Sequence, residues 1–87
     1  MSKYRTVFRP AAQEELRKLP RDAALRILLK LTDLETDPFG FNTTALVGQP
    51  ELRRLRVGDF RIIYTVDNGE LVVWIVRVGH RSTVYGD

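Results

Sequence analysis

The sequence predicts a small α+β domain: an antiparallel-dominated sheet with two N-terminal helices packed on one of its faces. Three observations carry this. Residues 53–66 and 70–78 alternate or run apolar as strands do, and Gly58-Asp59 and Asn68-Gly69 punctuate them with dipeptides suited to hairpin turns. Residues 11–19 and 21–36 place apolar side chains at helical spacing, with Pro10 and Pro20 at their starts. The chain has 87 residues, the size of one domain, 1–87, around one core.

Residues 3–8 alternate and hold Tyr4, Thr6, Val7 and Phe8, the residue types of a first strand. Arg9-Pro10 ends it, because proline cannot donate to a ladder and suits the first turn of a helix. The helix over 11–19 lines up Ala12, Leu16 and Leu19. Pro20 breaks it and opens a longer helix over 21–36, whose Ala24, Ile27, Leu28, Leu31 and Leu34 are expected to pack on the sheet as plain core. Asp37-Pro38 and Gly40 stop that helix. Residues 39–50 read as a loop crossing back to the sheet, with Phe39, Phe41 and Leu46 as pegs into the core.

The hairpin follows. In 53–57, Leu55 and Val57 point one way, and Arg54 and Arg56 the other. Gly58 tolerates the positive φ that a primed hairpin turn needs. Beyond it Phe60, Ile62, Tyr64 and Val66 share a face, and Arg61, Ile63 and Thr65 share the opposite one. With the core taking the apolar faces, Arg54, Arg56 and Arg61 emerge together on an open face. Residues 70–78, ELVVWIVRV, are apolar on both faces and predict a central strand. Val72, Trp74, Val76 and Val78 form one side of it. Leu71, Val73, Ile75 and Arg77 form the other, which would bring Arg77 to the arginine face. With a short last strand near 83–85, the order is β-α-α-β-β-β.

Composition narrows the function classes. Hydrophobic residues are 44% and charged residues 29%, as in an ordinary folded chain. The absence of cysteine removes disulfides and fits a reducing compartment. No apolar run is long enough to span a bilayer, so no membrane partner is expected, and the start MSKYRTVFRP lacks the apolar stretch of a secretory leader. The expected location is the cytoplasm. Nothing in the sequence suggests a metal site or an organic cofactor. A net charge of +3 is mild; its distribution says more. Asp33, Glu35 and Asp37 gather at one helix end, while Arg53, Arg54, Arg56 and Arg61 recur in the hairpin. Such a surface suits a polyanion or an acidic protein.

The strand, the helical pair and the runs LRRLRVGDFRIIYTV and NGELVVWIVRVGHRSTVY resemble the RelE/ParE toxin superfamily of bacterial toxin–antitoxin modules, and most closely its RelE branch. The most specific part is the R-x-G-x-[FY]-R-x-x-Y run from Arg56 to Tyr64, followed by His80-Arg81-Ser82-Thr83-Val84-Tyr85. The resemblance implies a ribosome-dependent endoribonuclease that cuts messenger RNA in the decoding site. A cognate antitoxin would inhibit it, and operator DNA would be met only through that complex. The implied active surface combines basic residues of the second and third strands, an arginine near the end of the next strand and a C-terminal tyrosine. Those roles fall on Arg54, Arg56, Arg61, Arg81 and Tyr85, and His80 matches a histidine that several relatives place before the arginine. Arginine stands here where lysine is common, and Leu52 takes a position that is basic in some members.

The chemistry can be argued on its own terms. RNA cleavage without a metal needs a 2′-hydroxyl to attack the neighbouring phosphorus, with a base, an acid and charge stabilisation at the phosphoryl oxygens. Arginine forks suit those oxygens, and Arg53, Arg54, Arg56 and Arg77 are the candidate RNA-binding residues. Arginine is a poor base. His80, the chain's one histidine, is the natural proton carrier. Tyr85 would stack on a splayed base or donate its phenol to the leaving group. The candidate catalytic set is Arg61, His80, Arg81 and Tyr85. Asp59 on a turn and Glu51 before a strand are weak choices for a second proton carrier, so positioning on the ribosome has to make up the shortfall. Two other readings use the same fold: a ParE-like inhibitor of DNA gyrase, which has no need of the His80-Arg81 and Tyr85 constellation, and a catalytically weak member acting through antitoxin binding and operator regulation.

Overall fold

In the computed structural model, which describes residues 3–40 and 42–82, the elements run β1 (Arg5–Phe8), α1 (Pro10–Arg17), α2 (Arg21–Thr36), β2 (Thr43–Leu46), β3 (Gln49–Val57), β4 (Phe60–Asp67) and β5 (Val72–His80). They form one five-stranded sheet in the order β1-β5-β4-β3-β2. Only β1 and β5 pair in parallel; the other neighbours are antiparallel. The α+β architecture matches the expectation from sequence, but the central strand is β4, and β5 is flanked by β1 only over Val72–Ile75. The strand expected at 83–85 and the expected peg Phe41 lie outside the described residues.

Both helices cover one sheet face. Ala12 of α1 and Ile27, Leu31 and Leu34 of α2 pack on Leu55, Val57, Ile62, Tyr64, Val73, Ile75 and Val78. Tyr64 is fully buried there, and its hydroxyl donates to the Pro38 carbonyl, so the burial leaves no polar group orphaned. The buried stripe of α2 runs Ala23, Ile27, Leu31, Leu34. Leu28, expected in the core, is 41% exposed, and Leu25 and Leu29 beside it are more exposed still. Ala24, also expected in the core, is only partly buried, and Ala23 takes the buried position. No helix among the described residues is long and apolar enough to cross a membrane.

The segment read as a loop over 39–50 contains a strand. Thr43–Leu46 pairs with β3, with a register shift at Ala45/Leu46 and a turn through Gly48 at φ 81°. Four residues flanked by glycines and a proline give too short an alternation to announce a strand. Phe39 is half-exposed rather than a core peg, and Leu46 is buried on the far face, beside Ile63, Leu52 and Val76. The second face therefore carries a small apolar cluster of its own. The turn after β4 also differs from a two-residue hairpin. Asp67 Oδ1 accepts the N–H groups of Gly69 and Glu70, Leu71 sits at φ 57°, and β5 begins at Val72.

A bulge then changes the phase of β5. Ile63 pairs with Arg77 but Tyr64 pairs with Ile75, which leaves Val76 without a Cα partner on β4. Val73 and Ile75 face the helices before it, and Val78 faces them after it. Strict alternation had grouped Val72, Trp74 and Val76 with Val78; the bulge reverses that. Trp74 turns to the other face, with the Arg9 guanidinium 4.6 Å from its ring centroid.

Candidate nucleic-acid interface

Strand pairing gathers the arginines. Arg56 of β3 stands directly opposite Arg61 of β4, Arg54 stands opposite Ile63, and Gly79 of β5 flanks Arg61 from the other side. Directly opposed like charges on a sheet repel. Alternation placed Arg61 on the face away from the helices, and the structure agrees, but it does not leave Arg61 open: only 8% of it is exposed. Its pKa lies below the usual guanidinium value. Burial is the main cause, followed by the fields of Arg56, Arg54 and Arg81, with Asp59 acting the other way. These fields place Arg54, Arg56, Arg61 and Arg81 in one electrostatic cluster. Burial and like charge both oppose ionisation of Arg61.

The turn after β3 helps to assemble the cluster. Gly58 takes φ 59°, which lets the hairpin close tightly. The carbonyl of Asp59 then accepts the N–H of Arg81 at 2.8 Å, tying the end of β5 to the hairpin tip. His80 stands opposite Phe60, and their rings meet edge to face at 5.7 Å between centroids. Ser82 serves the Nδ1 side of the imidazole: its N–H donates to Nδ1 at 3.2 Å and its Oγ lies 2.9 Å away.

Two of the expected RNA-binding arginines are engaged by side chains of the fold itself. Arg53 stands opposite Tyr64 and so shares the helix-side face. Its Nη2 donates to Thr43 Oγ1 at 2.8 Å, and its guanidinium lies 5.1 Å from the Phe39 ring centroid. Arg77 sits at the bulge, where its Nε and Nη2 each lie 2.9 Å from Glu15 Oε2 on α1. Tyr85 lies outside the described residues. Glu15 was missed from sequence, although a signal existed: it falls on the stripe of Ala12, Leu16 and Leu19, where a carboxylate needs a partner.

Fold and site together define a class, the small basic toxins of the RelE/ParE fold. Residues 6–85 match the family described as ParE toxin of type II toxin–antitoxin system, parDE, and the chain belongs to that family of toxins. It is 33% identical over 89 residues to Toxin RelG of Mycobacterium tuberculosis (strain ATCC 25618 / H37Rv), a match spanning 94% of this chain and 95% of the relative. Among solved structures, the archaeal RelE–RelB complex from Pyrococcus horikoshii OT3 superposes with a TM-score of 0.79 at 29% identity, covering 94% of this chain and 99% of that one. The toxin–antitoxin complex RelBE2 from Mycobacterium tuberculosis gives 0.78 at 27%, covering 91% and 99%. The isolated E. coli RelE toxin gives 0.79 at 25%, covering 88% and 83%.

Proposed function

We propose that this toxin is a ribosome-dependent endoribonuclease that cleaves messenger RNA in the decoding site and is held inactive by a cognate antitoxin. The observation that carries the reading is the convergence of Arg54, Arg56, Arg61 and Arg81 on one face, around a guanidinium that burial and like charge both disfavour. The 2′-hydroxyl attacks the adjacent phosphorus, the bond to the 5′-oxygen breaks, and a 2′,3′-cyclic phosphate and a 5′-hydroxyl result. Arg61, with Arg54, Arg56 and Arg81, binds the phosphoryl oxygens as charge builds on them. His80 exchanges a proton through Nε2 while Ser82 holds the other side of its ring. Tyr85 stacks on a base or supplies a phenolic proton. No metal or organic cofactor enters these steps.

The relatives solved as complexes with RelB support an antitoxin as partner. Its segment on this domain is acidic or amphipathic and folds on binding, a mode in which a short chain covers a large surface. Operator DNA is met only through that complex, and the site of action is the cytoplasm, where ribosomes translate. The ParE description of the matched family favours one other reading, inhibition of DNA gyrase. One experiment separates them: express the toxin, map messenger RNA 5′ ends within translated frames, and assay supercoiling. New 5′ ends inside reading frames with normal supercoiling support the nuclease. Intact messages with lost supercoiling select the gyrase target.

A further inference from the structure

β5 outruns β1. Their pairing stops at Phe8 and Ile75, and the N–H of Arg9 makes the last backbone bond, to the Ile75 carbonyl. Pro10 then turns the chain into α1, and proline has no N–H to offer in any case. From Val76 to His80, β5 is therefore paired with β4 on one side and, among the described residues, has no strand on the other. This overhang contains the bulge and carries His80, with Arg81 following it.

α1 puts one carboxylate where the strand is missing. Glu15 Oε1 accepts the N–H of Val78 at 2.8 Å, and Oε2 accepts Nε of Arg77 at 2.9 Å. We propose that Glu15 is a positioning residue: its carboxylate replaces the absent strand beside Val78 and holds the register shift at Val76. The consequence is geometric. A one-residue slip exchanges the faces of a strand. With the bulge in place, Gly79 flanks Arg61, His80 meets Phe60, and the following residue, Arg81, returns to the arginine cluster. Without it, the overhang is free to pair in straight alternation, and His80 and Arg81 change faces. Glu15 touches no substrate in this scheme; it acts through the backbone of β5.

The structural claim stands on its own contacts, while its effect on turnover rests on the nuclease reading. The test uses the whole chain with Glu15→Ala and Glu15→Gln. Glutamine keeps an acceptor for Val78 but puts an NH₂ donor in place of Oε2, so it loses the ion pair and the hydrogen bond to Arg77. In Glu15→Ala, amide exchange at Val78 should rise by about 10²-fold while exchange at Ile62 in the core stays as it was. The proton–proton contacts between His80 and Phe60 rings should weaken together with it. The maximal rate of cleavage of ribosome-bound messages, per folded molecule, should fall about 10–100-fold with KM within about twofold, as for a misplaced group. Glu15→Gln should recover most of the Val78 protection and most of the rate, a rescue that bulk stability does not predict. Should Glu15→Ala not fold, Glu15→Gln still has to show partial losses in both. Wild-type exchange at Val78 and intact His80–Phe60 contacts in the variants would overturn the proposal, as would their loss with an unchanged rate. A wild-type protein that does not cleave messages refutes the nuclease reading, and the exchange and ring contacts still decide the role of Glu15.

Discussion

Arg53, on the helix side of β3, ends at the Thr43 hydroxyl and over the Phe39 ring, whereas Arg54, one residue on, faces the other way with Arg56, Arg61 and Arg81. The pleat alone separates them. On the helix side, a guanidinium is consumed by local hydrogen bonding and stacking, and it joins the scaffold around Tyr64. On the far side the same chemical group is placed among others of its charge, one of them nearly buried. A protein of 10.0 kDa can thus use one residue type for two purposes. Electrostatics tells them apart: Thr43 and Phe39 engage the first kind, while the second sits in a field of like charge that opposes its ionisation. Arg77 belongs with the first kind, through Glu15.

The sharpest way to break this comparison is to remove charge on each side. Arg61→Met should slow cleavage of ribosome-bound messages by about 10²–10⁴-fold, the worth of two charge-assisted contacts of ~1.5–3 kcal/mol each. Its melting temperature should stay close to that of the wild type, because Arg61 lies outside the core under the helices. Thermal melts beside single-turnover rates check both halves, and an unfolded variant would make Arg61 a structural residue. His80→Gln should lower the rate by about 10²–10³-fold, while ribosome binding persists. The wild-type rate would reduce His80 to a partner of Phe60.

Smaller effects belong to the helix side. Tyr64→Phe should cost about 1 kcal/mol of stability by removing a buried hydrogen bond and leave cleavage per folded molecule unchanged. Burial pushes the Tyr64 phenol above its usual value, against the hydrogen bonds of Arg53 and Thr43. A raised pKa contributes stability that is complete below the unfolded value, about 10, and is lost as pH rises through the folded value. The wild type should therefore lose stability on alkaline titration above about pH 10 more steeply than Tyr64→Phe, which chemical denaturation at several pH values would reveal. Phe39→Leu should have the smallest effect, ~0.5–1 kcal/mol, by removing the ring beneath Arg53; a loss of cleavage there would place RNA on the wrong face.

The parts of the fold legible from sequence were those with a long or strongly punctuated pattern. Residues 21–36 form α2 as periodicity and Pro20 indicated, and Gly58 turns the hairpin as its position required. The alternation of Arg54, Arg56 and Arg61 was enough to bring three arginines to one face. What stayed hidden has physical reasons. β2 is too short to show a period. In β5 nearly every residue from Val72 to Val78 is apolar, so the sequence carries no phase, and the bulge at Val76 passes unseen along with the contact of Arg77 with Glu15. Burial of Arg61 depends on neighbours from three segments, which no local window contains.

The account rests on Arg61 meeting the scissile phosphate, and a sulfur substitution tests that contact directly. A message carrying a single phosphorothioate at the cleaved linkage, with sulfur in place of a non-bridging oxygen, is bound to ribosomes and cleaved by wild type, Arg61→Met and Arg53→Met. Sulfur is a poorer acceptor for the guanidinium fork, so wild type and Arg53→Met should both slow by about tenfold or more, while Arg61→Met, which has already lost the contact, should slow little further, as in any cycle whose two changes remove one interaction. An equal slowing in Arg61→Met and wild type would contradict the account, for the buried arginine would then be acting on something other than the phosphate.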